Sequence, residues 1–418
     1  MDITAIIPVY GGEVYLDECI GSLEGQVGVN IRIIAVDDAS PDGSAELIAQ
    51  RHSAVRLLRR KINGGFARAV NEGIRAVSQS DAVLLVNQDV ILAPDCVRRM
   101  IDAMQQRPGI VGARLTYPDD SIQHAGGYVD PITAEARHHK DDRNERSQAC
   151  DAEFVTGALM LIDRAVIEKI GMLDADLTPA YYEDIDYCFR ARACGFVIQY
   201  EPTARAQHIE GSTIEKGSYR QNWFYHCGRI GFVLKHWPLE RIHTFFAHES
   251  RIVGTVAEAD YFARIRAYAF NAARMSALFN AAVMLYPDRQ ASFSADACEQ
   301  IDRVLLNLAE IHRQAAPQPA QDATPAPIEE ITFTSALPVM AKMREIVHAF
   351  AGKWALRHVI QQQNEQNKIL SMRLTQQSAV LRENMRAIEE LRKMILDSNR
   401  QFFLRSEEAL HKPYDQPE

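Results

Sequence analysis

The chain has 418 residues, 47% of them hydrophobic and 24% charged, with a formal net charge of -9. That length exceeds what one hydrophobic core usually supports and implies one large domain plus additional elements. The acidic balance, with no basic stripe, argues against a broad nucleic-acid surface, which needs clustered Lys and Arg. Seven scattered cysteines lack CxxC pairs and point to a reducing compartment. MDITAIIPVY has no basic n-region, and no run of about 18 apolar residues occurs, so neither a signal peptide nor a membrane span is predicted. The expected location is cytoplasmic, with at most peripheral contact at the inner face of the cell membrane.

In chain order, ITAIIPVY, IRIIAVDD, VRLLRR and AVLLVNQD read as strands. Helical patterns separate them, from about Glu13 to Leu23, at SAELIAQRH and at FARAVNEGIRAVSQ, and another helix follows Pro94. This alternation predicts right-handed βαβ crossovers and a mostly parallel α/β sheet flanked by helices. In such sheets ligands gather at the carboxyl ends of strands, here Pro8 and Tyr10, Asp37 and Asp38, and Asn87 with Asp89. From about 115 to 155 the pattern loosens into loops over the sheet edge, with HHKDDRNERSQ as a mobile polar run. FVTGALMLIDRAVIEKIG resumes as strand and helix, and FVIQYEP as a strand with His208 just beyond it.

Residues 218–285 read as helices, followed by further helix to about residue 314. YFARIRAYAFNAARMSALFNAAVMLYP is apolar on more than one face, so it either packs against the preceding domain or lies at a membrane surface. GFVLKHWP is a second segment able to touch a bilayer, although neither has the Lys/Arg-rich polar face of interfacial helices. Residues 315–330, AAPQPAQDATPAPIEE, are a Pro/Ala-rich linker. Residues 331–405 form a long helix, and a 3-4 spaced seam from Leu356 to Phe402 predicts a coiled coil of roughly 70 Å at 1.5 Å per residue. The competing reading is an amphipathic helix folded back on its own domain. Homo-oligomerisation through 356–402 follows from the first, and 406–418 is a flexible tail.

Four stretches carry candidate chemistry. In VDDAS, Asp38 can accept bonds from a ribose or base edge, or Asp37 and Asp38 can cap the next helix. In LLVNQD, Asn87 and Asp89 fall on the same side of an extended segment, where Mg2+ or Mn2+ would find hard oxygen ligands; the alternative is a polar turn. In NGGFARAVNEGI, glycines allow close backbone approach, and Asn63 and Asn71 bracket one helix. In AYYEDIDYCFRARACGF, Glu183, Asp184 and Asp186 suit the first turn of a helix, or one of them is a base. Asp186 and Arg190 are spaced for an ion pair, and Tyr181 and Tyr182 stack on a sugar or pack on the sheet.

Taken in order with TGALMLIDR, GMLD and His208, these stretches resemble a family 2 glycosyltransferase of the GT-A (Rossmann-like) fold. The resemblance covers roughly the first 235 residues and is closest in flavour to the non-processive, rhamnosyltransferase-like branch. It implies that 1–235 is the catalytic domain and 236–314 a helical extension. It implies donor binding by Pro8, Tyr10, Asp38, Asn63, Gly65 and Asn87, a Mg2+ or Mn2+ ion at Asp89 and His208, and Asp184 as the base with Glu183 beside it. Asn87 departs from the family's DxD pattern. SYRQNWFYHCGR lacks the processive QxxRW signature, so one sugar is transferred per encounter. The implied reaction is inverting, metal-dependent transfer from a dTDP- or UDP-sugar, with dTDP-rhamnose as first choice, to a glycan or lipid-linked acceptor in surface polysaccharide synthesis. The alternative is a non-catalytic GT-A-derived scaffold assembled through its coiled coil.

Overall fold

The computed structural model describes residues 1–308 apart from 142–146, 178–179, 210–216, 253–255, 257, 289–299, 302 and 306. All of these belong to one compact unit, Met1–Ala316. The expected linker, coiled coil and tail lie outside the described residues.

The first part alternates β1 (Ile3–Val9), α1 (Leu16–Glu24), β2 (Ile31–Asp37), α2 (Ser44–Arg51), β3 (Arg56–Arg59), α3 (Phe66–Ala76) and β4 (Ala82–Val86). Next come β5 (Val90–Leu92), α4 (Cys96–Gln106), β6 (Gly109–Thr116), β7 (Ile122–His124), β8 (Gly127–Val129), β9 (Ala136–His138) and β10 (Cys150–Asp151). Then follow β11 (Leu159–Asp163), α5 (Arg164–Ile170), α6 (Glu183–Ala193) and β12 (Val197–His208). Helices α7 (Tyr219–His236), α8 (Leu239–Arg251), α9 (Glu258–Ala272) and α10 (Met275–Leu285) complete the series.

Ten strands form one sheet in the order β10-β12-β6-β11-β4-β1-β2-β3, with β5 added on β12 and β7 on β6. β1 to β4 pair in parallel, as do β6 and β12, whereas β11 runs antiparallel between β4 and β6. Because side chains alternate along a strand, each central strand feeds two cores. Ile6, Val83 and Leu85 face α3 and α6, while Ile7, Leu84 and Val86 face α1 and α4. Covering both faces explains the nearly unbroken apolar runs of β1 and β4. Each fully buried Ile or Leu contributes about 1.5–3 kcal/mol.

β12 pairs with β6 as far as Glu201, then passes Pro202, Thr203 and Ala204 before Arg205 resumes opposite Arg114. Pro202 has no N–H to donate, which suits it to a bulge. Past the bulge, β12 pairs antiparallel with β5 and sets His208 opposite Val90.

Two sequence expectations are corrected here. The apolar run 261–285 is not one helix: it breaks between α9 and α10, where Arg274 lies over the Phe270 ring. Nor is GFVLKHWP a surface segment. Phe232, Val233, Leu234 and Trp237 are buried, and buried Lys235 reaches Asp174 at 2.8 Å and Asp186 at 2.7 Å. α9 packs along α7, whereas Met284 of α10 is 83% exposed. Among the described residues no helix is long and apolar enough to cross a membrane.

Candidate active site

The carboxyl ends of β1, β2 and β4 meet along one edge. Pro8 and Tyr10 are half-buried, and the Gln88 side chain clasps Tyr10 by accepting from its N–H at 2.9 Å and donating to its carbonyl at 3.1 Å. Asp38 does not cap α2, whose first turn is bonded instead by Asp42 to the Ser44 N–H. Its carboxylate accepts from the Gly64 N–H at 3.0 Å, the Gly65 N–H at 2.8 Å and Arg60 Nη1 at 2.5 Å. Gly65 has φ +85°, a conformation that favours glycine, and its N–H also meets Asn63 Oδ1 at 3.2 Å. Asn71 is structural: it exchanges two bonds with Leu173 across 102 residues.

Asp89, 6% exposed, lies 3.2 Å from His208 Nε2, and the other ring nitrogen, Nδ1, is 2.8 Å from Gln123 Oε1 on β7. The pairing of β12 with β5 brings these two residues together from 119 positions apart. Among the described residues no cluster of three His, Cys, Asp or Glu side chains is placed to hold a metal. The pair nevertheless suits Mg2+ or Mn2+, which bind through one or two protein groups and take remaining ligands from water and substrate phosphates. An imidazole fixed through its second nitrogen is also the usual state of a ligating histidine.

Residues 157 and 158 join the two halves of the edge. The Ala158 carbonyl accepts from the Asn87 N–H at 2.8 Å. The Gly157 N–H donates to Asp184 Oδ2 at 2.8 Å, and a Cβ on Gly157 would stand 3.3 Å from both Asp184 Cβ and the Phe66 ring. The sequence reading singled out neither Gly157 nor Gln88 and Gln123. Their roles rest on contacts 27 to 85 residues away.

At the start of α6 three carboxyls have different surroundings. Asp184 accepts from the Gly157 and Ile185 N–H groups, each at 2.8 Å; burial raises its pKa while those amides oppose the rise. Glu183 is 8% exposed, and its buried Oε2 has no hydrogen-bond partner. Burial and then the charge of Asp184 push it up to about 8. Asp186 is also buried, but Arg190, Lys235 and His236 hold it well below the usual carboxylate range. Arg190 Nε lies 2.8 Å away, as the i, i+4 spacing predicts.

Tyr181 and Tyr182 precede this turn with φ of +72° and +69°. Left-handed backbone costs a non-glycine residue about 1–2 kcal/mol. Tyr182 is buried and packs on α7 and the β8–β9 hairpin. Its hydroxyl donates to the Ala134 carbonyl at 2.6 Å and accepts from the Ala136 N–H at 3.1 Å.

The clasped strand ends and Asp89 fall within the match to a family model, Glycosyl transferase family 2, which covers residues 4–171; Glu183, Asp184 and His208 lie beyond it. Residues 4–171 belong to that family. This region has the mostly parallel sheet flanked by helices that the sequence predicts. An uncharacterized protein of Sinorhizobium fredii, y4gI, is 32% identical over 198 residues, 44% of this chain and 22% of that protein. The N-acetylglucosaminyl-diphospho-decaprenol L-rhamnosyltransferase of Mycobacterium tuberculosis is 24% identical over 236 residues, 49% of this chain and 76% of that enzyme. The solved structure of GalNAc-T7 with UDP, GalNAc and Mn2+ aligns with a TM-score of 0.48 and 15% identity, over 71% of this chain and 58% of that one. The chain thus spans 22% of one curated relative and 76% of the other.

Proposed function

We propose that this chain transfers a sugar, with inversion, from a nucleotide diphosphate donor to a hydroxyl of a glycan or lipid-linked acceptor. The observation that carries the proposal is Asp184, held by two backbone amides and set through Gly157 beside Phe66, the residue that follows the donor loop. The acceptor oxygen attacks the anomeric carbon as its bond to the diphosphate breaks, and the acceptor proton passes to the Asp184 carboxylate. At neutral pH Glu183 is mostly protonated, so the adjacent Glu183–Asp184 pair carries one negative charge, on Asp184. Pro8, Tyr10, Asp38, Asn63, Gly65 and Asn87 line the donor end. Asp89 and His208 would hold Mg2+ or Mn2+, which supplies charge stabilisation to the departing diphosphate.

A dTDP-rhamnose donor and a diphospholipid-linked acceptor are the finer reading, supported by the name of the mycobacterial relative. Self-association through 356–402 and peripheral membrane contact belong to the same reading. The alternative, a scaffold without turnover, is favoured by Asn87 at the position where the DxD pattern carries a carboxylate.

A thermal-shift panel of UDP, dTDP, GDP and CMP, with and without Mn2+, tests the proposal, because a ligand that binds only the folded state raises its stability. A Mn2+-dependent rise for one nucleotide, followed by its release from the matching nucleotide sugar in an Asp184-dependent manner, is the expected outcome. Absence of any shift at saturating ligand would favour the scaffold.

A further inference from the structure

We infer that Tyr182 and Gly228 are positioning residues for Asp184, which makes helix α7 a working wall of the catalytic centre; the inference rests on reading Asp184 as the base. Tyr182 occupies the N-cap of α6 yet makes no side-chain cap bond. Ser, Asp or Asn would ordinarily stand there to bond an exposed N–H. Two consecutive tyrosines in the left-handed region are a second departure from what a helix start asks for. Strained backbone persists where the surroundings over-determine it.

Three contacts from distant parts of the chain supply that constraint. The Tyr182 hydroxyl bridges Ala134 and Ala136, tying the turn to the β8–β9 hairpin. Its ring stands edge-on to Tyr225 and tilted against Phe232, both on α7. Between these two, Gly228 lets α7 close on the backbone: a Cβ there would lie 2.7 Å from the Tyr181 carbonyl oxygen and 2.9 Å from Tyr182 Cβ. Helices α7 and α8 also grip the hairpin turn, through Arg229 Nη1 to the Thr133 carbonyl at 2.7 Å and Arg241 Nε to the Pro131 carbonyl at 3.0 Å.

The strained pair therefore fixes the direction in which α6 begins. Tyr182 carbonyl accepts from the Asp186 N–H at 2.8 Å, and Asp184 lies between them. A shift of the pair would draw Asp184 off the Gly157 N–H, the bond that keeps it at the donor side. Tyr182→Phe removes only the bridging hydroxyl, and Gly228→Ala pushes the turn from beneath.

The deciding experiment titrates the Asp184 carboxyl by 13C NMR in the full chain, with the signal assigned by its loss in Asp184→Asn. Removal of an amide donor raises a carboxyl pKa, so Tyr182→Phe and Gly228→Ala should each move the midpoint up by about one unit. Thr4→Val serves as comparator: it deletes a buried hydroxyl that meets Ser80 near the amino end of β1, away from the turn and its partners. It should lower Tm and leave the midpoint in place. Turnover of the donor selected by the shift panel should fall about 10- to 100-fold in kcat, with KM for the donor kept, in Tyr182→Phe. A Tyr182→Phe protein that loses Tm as the comparator does, with midpoint and kcat unchanged, overturns the positioning role. Wild-type turnover in Asp184→Asn would instead overturn the reading of the base itself.

Discussion

At the proposed donor end Asp38 meets Arg60 and two glycine N–H groups, and Asp89 lies against the His208 ring. At the proposed base end Asp184 is held by two backbone amides alone and the buried Glu183 Oε2 has no hydrogen-bond partner, and both pKa values are raised. Asp186, two positions on, returns to the first pattern with Arg190, Lys235 and His236 around it. The donor end is organised before any ligand arrives. The base end combines raised carboxyl pKa values with strained backbone, a combination that tends to mark chemistry.

The sharpest way to break this contrast is to remove the base. Asp184→Asn should lower kcat about 100- to 10,000-fold while the nucleotide-induced thermal shift is retained. Loss of both would move Asp184 into the donor half. Next in size is Asp186→Ala, which strands Lys235 and Arg190 in the interior; urea unfolding should show a loss of about 3–5 kcal/mol. A variant as stable as the parent would remove the compensated member from the comparison.

At the donor end, Asp38→Asn should raise the donor KM about tenfold, equivalent to about 1.4 kcal/mol, with kcat little changed. The smallest effect is a gain. Folding raises the Glu183 pKa from its ordinary 4.5 to about 8, so its favourable contribution is complete below about 4.5 and is lost as pH rises through about 8. Glu183→Gln carries no such penalty. It should gain on the wild type as pH rises across that window and level off above it, by about 3 °C in Tm at pH 8. A gain that is flat with pH would mean Glu183 is not buried in its acid form.

Much of the donor half was legible because its elements are long and periodic: β1, β2 and β4 with their helices carry motifs at strand ends. The short strands β7 to β10 read as loops, since two or three residues display no period. Gly157, Gly228 and Gln123 act through partners 27 to 85 positions away, which local pattern does not encode. The break between α9 and α10 was missed for a related reason. Apolar residues continue through it, and tertiary packing rather than a Gly or Pro ends the helix.

The bulge in β12 has a consequence for what lengths the chain tolerates. Three residues, Pro202 to Ala204, stand where β6 supplies none, and an odd number reverses which face the rest of the strand presents. Deleting one of them would turn His208 away from Asp89 and push Ala206 outward, whereas deleting two would preserve parity. The Asp89–His208 pair is in this sense counted out along the backbone, and insertions or deletions there should be accepted only in twos.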